Sequence, residues 1–296
     1  MRRCSEEKIM SIITAIFQAI LQAITYIIPV SQSAHSSIYH DFAGKADGSF
    51  ASVTGAINIG IAIGIFLASF KLFARLATEF FSTGRDLVKK EFSFNAAKPT
   101  RKLMLMTLIS FCPMLLWLIP IGKNGMLYKV LQSSAYNNTI FDDGLFLAIL
   151  GALIFFSSRQ LTDDSNTKFI TVPMAAAVGV CSLVFIPVSG LALIGGVFSI
   201  LVILGISQKL ALRYSFVLSV PVLLVTGIVQ LCTADIKSGI VPVIIGLVLS
   251  VPVAFFSVRL LTNIIKKDYL RYISYYDFSM AIIVVVIGIV QLIVRK

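Results

Sequence analysis

The sequence predicts an all-α protein that crosses a membrane several times, and composition is the first reason. Apolar residues make up 57% of the 296 positions and charged residues only 13%, about half of the roughly 25% found in soluble domains. The mean hydropathy is +0.93. Hydrocarbon requires every backbone N–H and C=O to be paired within helices or a closed barrel, and long continuous apolar runs favour helices.

Six apolar runs are the second reason. Each is close to the length of roughly 17 to 25 residues that spans a bilayer. They cover residues 53–70, 103–121, 143–158, 212–232, 239–262 and 278–294.

A repeated tetrapeptide is the third reason. The apolar segments 9–30 and 169–186 both run into Ile-Pro-Val-Ser, at residues 28–31 and 186–189. Proline removes a backbone donor and breaks a helix, so paired broken segments predict two re-entrant hairpins facing a polar cavity. The alternative is two ordinary proline kinks in spanning helices. We expect a single membrane domain, 1–296, made of two inverted half-repeats, approximately 1–158 and 159–296.

A net charge of +11 is also typical of proteins that bind nucleic acid. The cations lie between apolar spans without the interleaved aromatic or glycine-rich motifs of nucleic-acid binding, so no nucleic-acid partner is expected. The hairpin topology places 16 of the 25 cations inside, as the positive-inside rule requires. The termini and the polar stretch 31–48 then lie outside, with His40 and Asp41 in a loop.

The first proline motif also resembles a known family. The stretch Gln22-Ala-Ile-Thr-Tyr-Ile-Ile-Pro-Val-Ser-Gln-Ser-Ala-His35 is similar to E-G-L-T-E-F-L-P-V-S-S-[ST]-G-H of the undecaprenyl diphosphate phosphatase family, also called UppP or BacA. Further collinear matches span nearly the whole chain. They are Ala56–Gly60, Gly205–Ser207, Tyr214–Pro221 and Ile273–Phe278.

The resemblance implies a fold, an activity and a location. The fold is an inverted repeat with two re-entrant helical pairs and six spanning helices. Members hydrolyse undecaprenyl diphosphate to the monophosphate carrier of cell-wall precursors, with a divalent metal, Mg²⁺ or Ca²⁺. The expected location is the bacterial plasma membrane, with the site on the outer side. The expected partners are the bilayer and a polyprenyl (di)phosphate or another lipid; a homodimer is left open.

The charged positions of the family motifs are substituted in this chain. The two glutamates are Gln22 and Tyr26, and the phosphate-binding arginine falls on Leu191 or Leu193. The Tyr-Arg pair near the C-terminus is Tyr276-Asp277. Because Mg²⁺ and Ca²⁺ prefer carboxylate ligands, we predict no metal ligands among these residues.

The remaining candidates are polar but uncharged. His35, with Ser31 and Ser33, is the expected reactive group, since a neutral imidazole can act as base or nucleophile near pH 7. The alternative is a histidine at a polar membrane boundary that does no chemistry. The residues expected to contact substrate are Gln22, Tyr26, Gln32, Asn58, Ser189, Gly195 and Gly196.

Some of these residues have a structural alternative. Asn58 could instead pack between helices with Gly60. Gly195 and Gly196 could permit close helix approach or the re-entrant turn, or could present backbone N–H groups to an anion.

Two functions follow. The first is a polyprenyl diphosphate phosphatase with a reduced site. The second is a non-catalytic homologue that binds or moves a polyprenyl or other lipid, because a nearly charge-free cavity favours a neutral or weakly polar ligand. An unrelated ion-coupled transporter is disfavoured, since intramembrane acids and bases are nearly absent.

Overall fold

The computed structural model describes residues 12–43, 49–94, 97–119, 140–160, 168–233 and 239–294. All regular secondary structure in these ranges is helical. The first half contains α1 (Ile12–Ile27), α2 (Gln32–Ala43), α3 (Ser49–Ala68), α4 (Phe70–Val88), α5 (Pro99–Met114) with a 3₁₀ turn (Leu115–Leu118), and α6 (Phe141–Ser158). The second half contains α7 (Val172–Phe185), α8 (Leu193–Ile203), α9 (Gln208–Thr233), α10 (Ile240–Lys266) and α11 (Leu270–Val294).

Six of these helices are long and apolar enough to cross a membrane, which confirms the predicted number. They are α3, α5 with its 3₁₀ turn, α6, α9, α10 and α11. The largest difference from prediction is in α11, which begins at Leu270 and not near residue 278. Its first turns are rich in tyrosine, a residue typical of membrane interfaces that lowers the hydropathy of a window without ending a helix.

The predicted loop at His40 and Asp41 is wrong, because α2 continues through both residues to Ala43. The cationic segment after α3 contains a helix that hydropathy did not predict, α4. The side chain of Ser31 explains the start of α2, because its Oγ accepts a hydrogen bond of 3.3 Å from the N–H of Ala34, as an N-cap does.

Ionic contacts fix α4 to the start of α5. The Arg101 guanidinium donates to Glu79 at 3.0 Å and to Asp86 at 2.8 Å. It also donates to Ser82 Oγ at 2.7 Å. The side chain of Arg101 is only 15% exposed, so these bonds join two helices at a largely buried position. Although burial favours the neutral acid, Arg101 and Lys98 hold the pKa of Glu79 below its ordinary value.

Small residues allow the long helices to approach closely. α3 packs against both α9 and α10. A Cβ on Gly55 would lie 2.9 Å from the carbonyl oxygen of Gly227 in α9, and one on Gly64 would lie 2.6 Å from Ala254 Cβ in α10. This small-residue packing is typical of membrane helices, where no hydrophobic effect drives helices together.

The two short apolar helices α1 and α7 each end at an Ile-Pro-Val-Ser segment. α1 packs against α10 of the second half, whereas α7 packs against α5 of the first half. These exchanged contacts bring the two tetrapeptides together. The boundaries of the half-repeats and the re-entrant character of the hairpins stay predictions.

Candidate functional site

The two proline turns touch each other. Ser31 Oγ donates a hydrogen bond of 3.1 Å to the carbonyl oxygen of Leu191, and the N–H of Gly190 donates one of 3.3 Å to Ser33 Oγ. Pro29 lies against Gly195, where an added Cβ would be 2.5 Å from Pro29 Cβ. Segments about 160 residues apart therefore meet, as the repeated tetrapeptide predicts.

Ser31 has an unusual backbone for this contact. Its φ is +60°, in the left-handed region that costs a residue with a Cβ about 1–2 kcal/mol. The residue is fully buried, and its Oγ contacts Ser33 Oγ at 3.2 Å besides capping α2 and bonding Leu191. The serine therefore holds together the chain reversal before α2 and the contact with the second turn.

A cavity of about 160 Å³ opens beside this contact. Its walls come from α1, α2, α3, the segment 185–193 and α9. One part of the wall is polar and consists of Gln22, Tyr26, Gln32, Ser33, Ser36, Thr54, Asn58, Ser189, Thr226 and Gln230. The other is apolar and consists of Phe185, Ile186, Pro187, Leu191, Ala192, Leu193, Val222 and Leu223.

Carboxamides form a connected chain along the polar wall. Gln32 Nε2 donates to Gln22 Oε1 at 2.9 Å and to Asn58 Oδ1 at 3.5 Å. Asn58 Nδ2 in turn donates to Gln230 Oε1 at 3.0 Å. Gln22 Nε2 donates to Thr54 Oγ1 at 3.3 Å. The chain links α1, α2, α3 and α9 through neutral groups alone.

The structure brings together most of the residues predicted for the site. Gln22, Tyr26, Gln32, Ser33, Asn58 and Ser189 line the cavity. Ser31 lies in the contact between the turns. Gly195 and Gly196 lie in the first turn of α8. A Cβ added to Gly196 would lie 2.5 Å from the ring of Phe185, so the geometry fits the close approach that the sequence offered as an alternative.

Sequence reasoning missed Thr54, Gln230 and Ser36. Gln230 offered a signal, because a carboxamide in an apolar span normally faces the protein interior. Thr54 and Ser36 offered none, since hydroxyl side chains are common throughout membrane helices and can bond to their own backbone.

His35 is turned away from the cavity lining. Its Nδ1 lies 2.9 Å from the carbonyl oxygen of Ser31, and its Nε2 lies 2.8 Å from the hydroxyl of Tyr276 in α11. The two rings are also stacked, with centroids 5.9 Å apart. Both ring nitrogens are therefore engaged, Nδ1 at the start of α2 and Nε2 in a contact that joins α2 to α11. A reactive histidine needs one nitrogen directed at its substrate.

The cavity is electrically neutral along its described wall. None of the lining residues there carries a formal charge. Leu191 and Leu193, the two candidate positions for the family arginine, contribute hydrocarbon. Gln22 and Tyr26 contribute a carboxamide and a phenol.

These residues do not fit a Mg²⁺ or Ca²⁺ site. Such ions are bound through one or more carboxylates. In the described ranges, no three residues among His, Cys, Asp and Glu come together in a metal-binding group. The cavity offers only carboxamide and hydroxyl oxygens.

The acid next to Tyr276 belongs to a different surface. Asp277 is fully buried, and its Cβ lies 3.1 Å from where a Cβ on Gly151 of α6 would stand. Neither carboxyl oxygen has a hydrogen-bond partner within the part of the chain that the structure describes. Asp277 thus places a carboxyl group in the α6–α11 contact, outside the cavity lining.

Comparison with known proteins agrees with the motifs. The family model of bacitracin resistance protein BacA matches residues 15–283. Proteins named undecaprenyl-diphosphatase from Methanosphaera stadtmanae and Alkaliphilus metalliredigens are each 26% identical to this chain, covering 95% of it and 99% and 100% of their own lengths. One of that name from Treponema denticola is 26% identical over 90% of this chain and 94% of its own. The chain therefore belongs to the BacA family.

Proposed function

We propose that this protein binds a polyprenyl lipid in the cavity beside the two proline turns and does not hydrolyse a diphosphate. The observation that carries the proposal is the neutrality of the cavity: none of its described lining residues is charged, and a chain of carboxamides occupies one wall. The polyprenyl class comes from the family, whose relatives here are named undecaprenyl-diphosphatases.

The two walls suit an amphiphile. Carboxamides can donate and accept hydrogen bonds, so Gln32 and Asn58 can bind a hydroxyl or another uncharged polar head. The apolar wall, which includes Phe185 and Val222, is complementary to the first carbons of a hydrocarbon chain. Ligand pockets commonly combine such an apolar lining with a few polar groups that fix orientation.

Charge argues against a diphosphate as the preferred ligand. Moving a multiply charged anion out of water costs many kcal/mol unless cations or metal ions compensate it. Phosphoryl transfer also depends on positive charge that stabilises the transition state. A head group with little or no charge, such as the hydroxyl of a polyprenol, avoids both requirements.

A second candidate function is the hydrolysis of undecaprenyl diphosphate. The match to the family over residues 15–283 favours it, as does the retention of His35, Ser31 and Ser33 in one turn. It requires His35 to leave Tyr276 and reach the cavity, with charge supplied by groups beyond the described lining.

The first experiment separates the two functions by chemistry. Purified protein in nanodiscs is incubated with farnesyl diphosphate or undecaprenyl diphosphate, with and without Mg²⁺ or Ca²⁺. We expect no phosphate release above that of the His35→Ala variant. Release that depends on His35 would establish the second function.

The second experiment measures binding. Radiolabelled farnesol, farnesyl phosphate and farnesyl diphosphate are compared at low and high salt, and we expect farnesol to bind most tightly, with little salt dependence. Gln32→Leu should weaken farnesol binding about tenfold, because loss of one or two hydrogen bonds costs about 1–1.5 kcal/mol. Gln160→Leu, at an exposed residue just after α6, is the matched control. Tight, salt-sensitive binding of the diphosphate would contradict the proposal.

The orientation of the chain in the membrane is part of the same proposal. The cation distribution supports an orientation with the cationic segment 71–102 inside and the polar stretch 31–48 outside. Labelling of single cysteines placed at residues 46 and 90 in whole cells, with a reagent that cannot cross the membrane, tests it. We expect labelling at residue 46 only.

A further inference from the structure

An apolar groove lies next to the cavity. It is formed by the end of α5, the following 3₁₀ turn, the end of α7 and one face of α9. Its lining residues are Phe111, Met114, Leu115, Trp117, Leu118, Ile186, Val222, Val225, Thr226 and Val229.

The groove and the cavity share part of their walls. Ile186, Val222 and Thr226 line both. The groove and the cavity therefore lie side by side at these three residues. The lining differs between the two spaces: the cavity holds four carboxamides, whereas the groove residues given above include none, and Thr226 supplies their one hydroxyl.

We propose that this groove holds the first isoprene units of the lipid whose polar head occupies the cavity. This inference rests on the proposed function, because a head in the cavity determines where its chain must leave. The leucines at the outer rim are accessible, with Leu115 46% and Leu118 37% exposed. The chain can therefore pass from the groove into the surrounding lipid without crossing a polar wall.

The groove contributes orientation more than affinity. In a membrane, the chain exchanges one apolar environment for another, so burial in the groove gains no hydrophobic free energy. Attachment to a bound head instead keeps the first units at a high local concentration beside the groove. The space between the groove residues is only about 30 Å³, so most of a long chain remains in the bilayer.

Trp117 allows a direct test, because it is the single tryptophan of the chain and lines the groove. The probe is farnesol with a nitroxide on its third isoprene unit, added to the full-length protein in nanodiscs. We expect saturable quenching of the tryptophan fluorescence at probe concentrations that fill the cavity. A short C5 alcohol, 3-methylbut-2-en-1-ol, should reverse the quenching by displacing the head.

A variant separates the groove from the cavity. Val229→Phe fills the groove at a residue that does not line the cavity, so it should retain farnesol binding within about twofold and lose most of the saturable quenching. Ile282→Phe, at a residue of α11 that is 66% exposed, is the matched control and should behave as the wild type does.

The outcomes distinguish the two proposals. Binding of radiolabelled farnesol without saturable quenching of Trp117 would contradict the proposal that the groove holds the lipid chain, and it would leave the cavity proposal intact. Bilayer lipid or another part of the protein would then fill the groove. Quenching that Val229→Phe does not reduce would also contradict the groove proposal. Absence of farnesol binding in the wild type would defeat the proposed function and, with it, this inference.

Discussion

Ser31 and Leu191 are joined by a hydrogen bond of 3.1 Å that connects the two proline turns, from the hydroxyl of one to the backbone carbonyl of the other. Ser31 is fully buried and Leu191 is 6% exposed. Because the cavity wall includes residues from both turns, this bond also holds two parts of that wall together.

Replacing Ser31 should reveal two opposing contributions. Ser31→Ala removes the bond to Leu191 and the cap on α2 while keeping a Cβ at φ +60°, so we expect a loss of about 1–3 kcal/mol in the free energy of unfolding. Ser31→Gly removes the same bonds but relieves the backbone strain of about 1–2 kcal/mol. The glycine variant should therefore be the more stable of the two, as measured by equilibrium unfolding in mixed detergent and SDS micelles. Equal stability would show that the left-handed backbone carries no strain.

A side chain at Gly195 should disturb the contact between the two proline turns. A methyl group there would lie 2.5 Å from Pro29 Cβ, so Gly195→Ala must push the turns apart and should cost about 1–3 kcal/mol. It should also weaken farnesol binding. Gly84→Ala in α4 is the matched control, because nothing lies within 4 Å of its added Cβ, and the change should stabilise that helix by up to about 1 kcal/mol. A Gly195→Ala variant as stable as the wild type would contradict the contact between the turns.

Hydropathy was sufficient for much of the fold because it depends on local composition. It located all six spanning helices, and the repeated Ile-Pro-Val-Ser predicted that two distant turns meet. Hydropathy did not predict α4, because the apolar residues of that helix recur at helical spacing among cations. A window average over α4 combines Phe80 and Phe81 with Arg75 and Arg85, and so hides the periodicity.

The direction of individual side chains could not be predicted. His35 lies one turn after Ser31 and in the same motif as Gln32, yet its ring contacts Tyr276 in α11 while Gln32 lines the cavity. Which face of α2 meets α11 depends on how helices from both halves pack, and that information is spread over some 240 residues. The sequence therefore predicted the composition of the site better than its geometry.

The buried carboxyl of Asp277 predicts that its removal does not destabilise the protein. With no hydrogen-bond partner among the residues described around it, the ionised group would be costly inside a spanning helix. Asp277→Asn keeps the shape and removes the ionisable group, so the unfolding midpoint should rise or stay unchanged. Asp268→Asn, with a side chain 61% exposed, should have no effect. A clear loss of stability in Asp277→Asn alone would indicate that a lipid or a second copy supplies a cation to this carboxyl.

The Glu79–Arg101 contact predicts a pH dependence that is confined to α4. Arg101 and Lys98 hold the pKa of Glu79 below its ordinary value of 4.5, so the stabilisation is fully present above that pH and is lost as the pH falls through the lower value in the folded protein. Hydrogen exchange should therefore show the backbone amides of α4 becoming less protected below about pH 4, while those of α3 change little. Glu79→Gln should expose α4 at neutral pH and remove the acid response, whereas Glu91→Gln, at an exposed residue after α4, should retain it. Protection of α4 that stays constant down to pH 3 in the wild type would show that other contacts hold the helix in place.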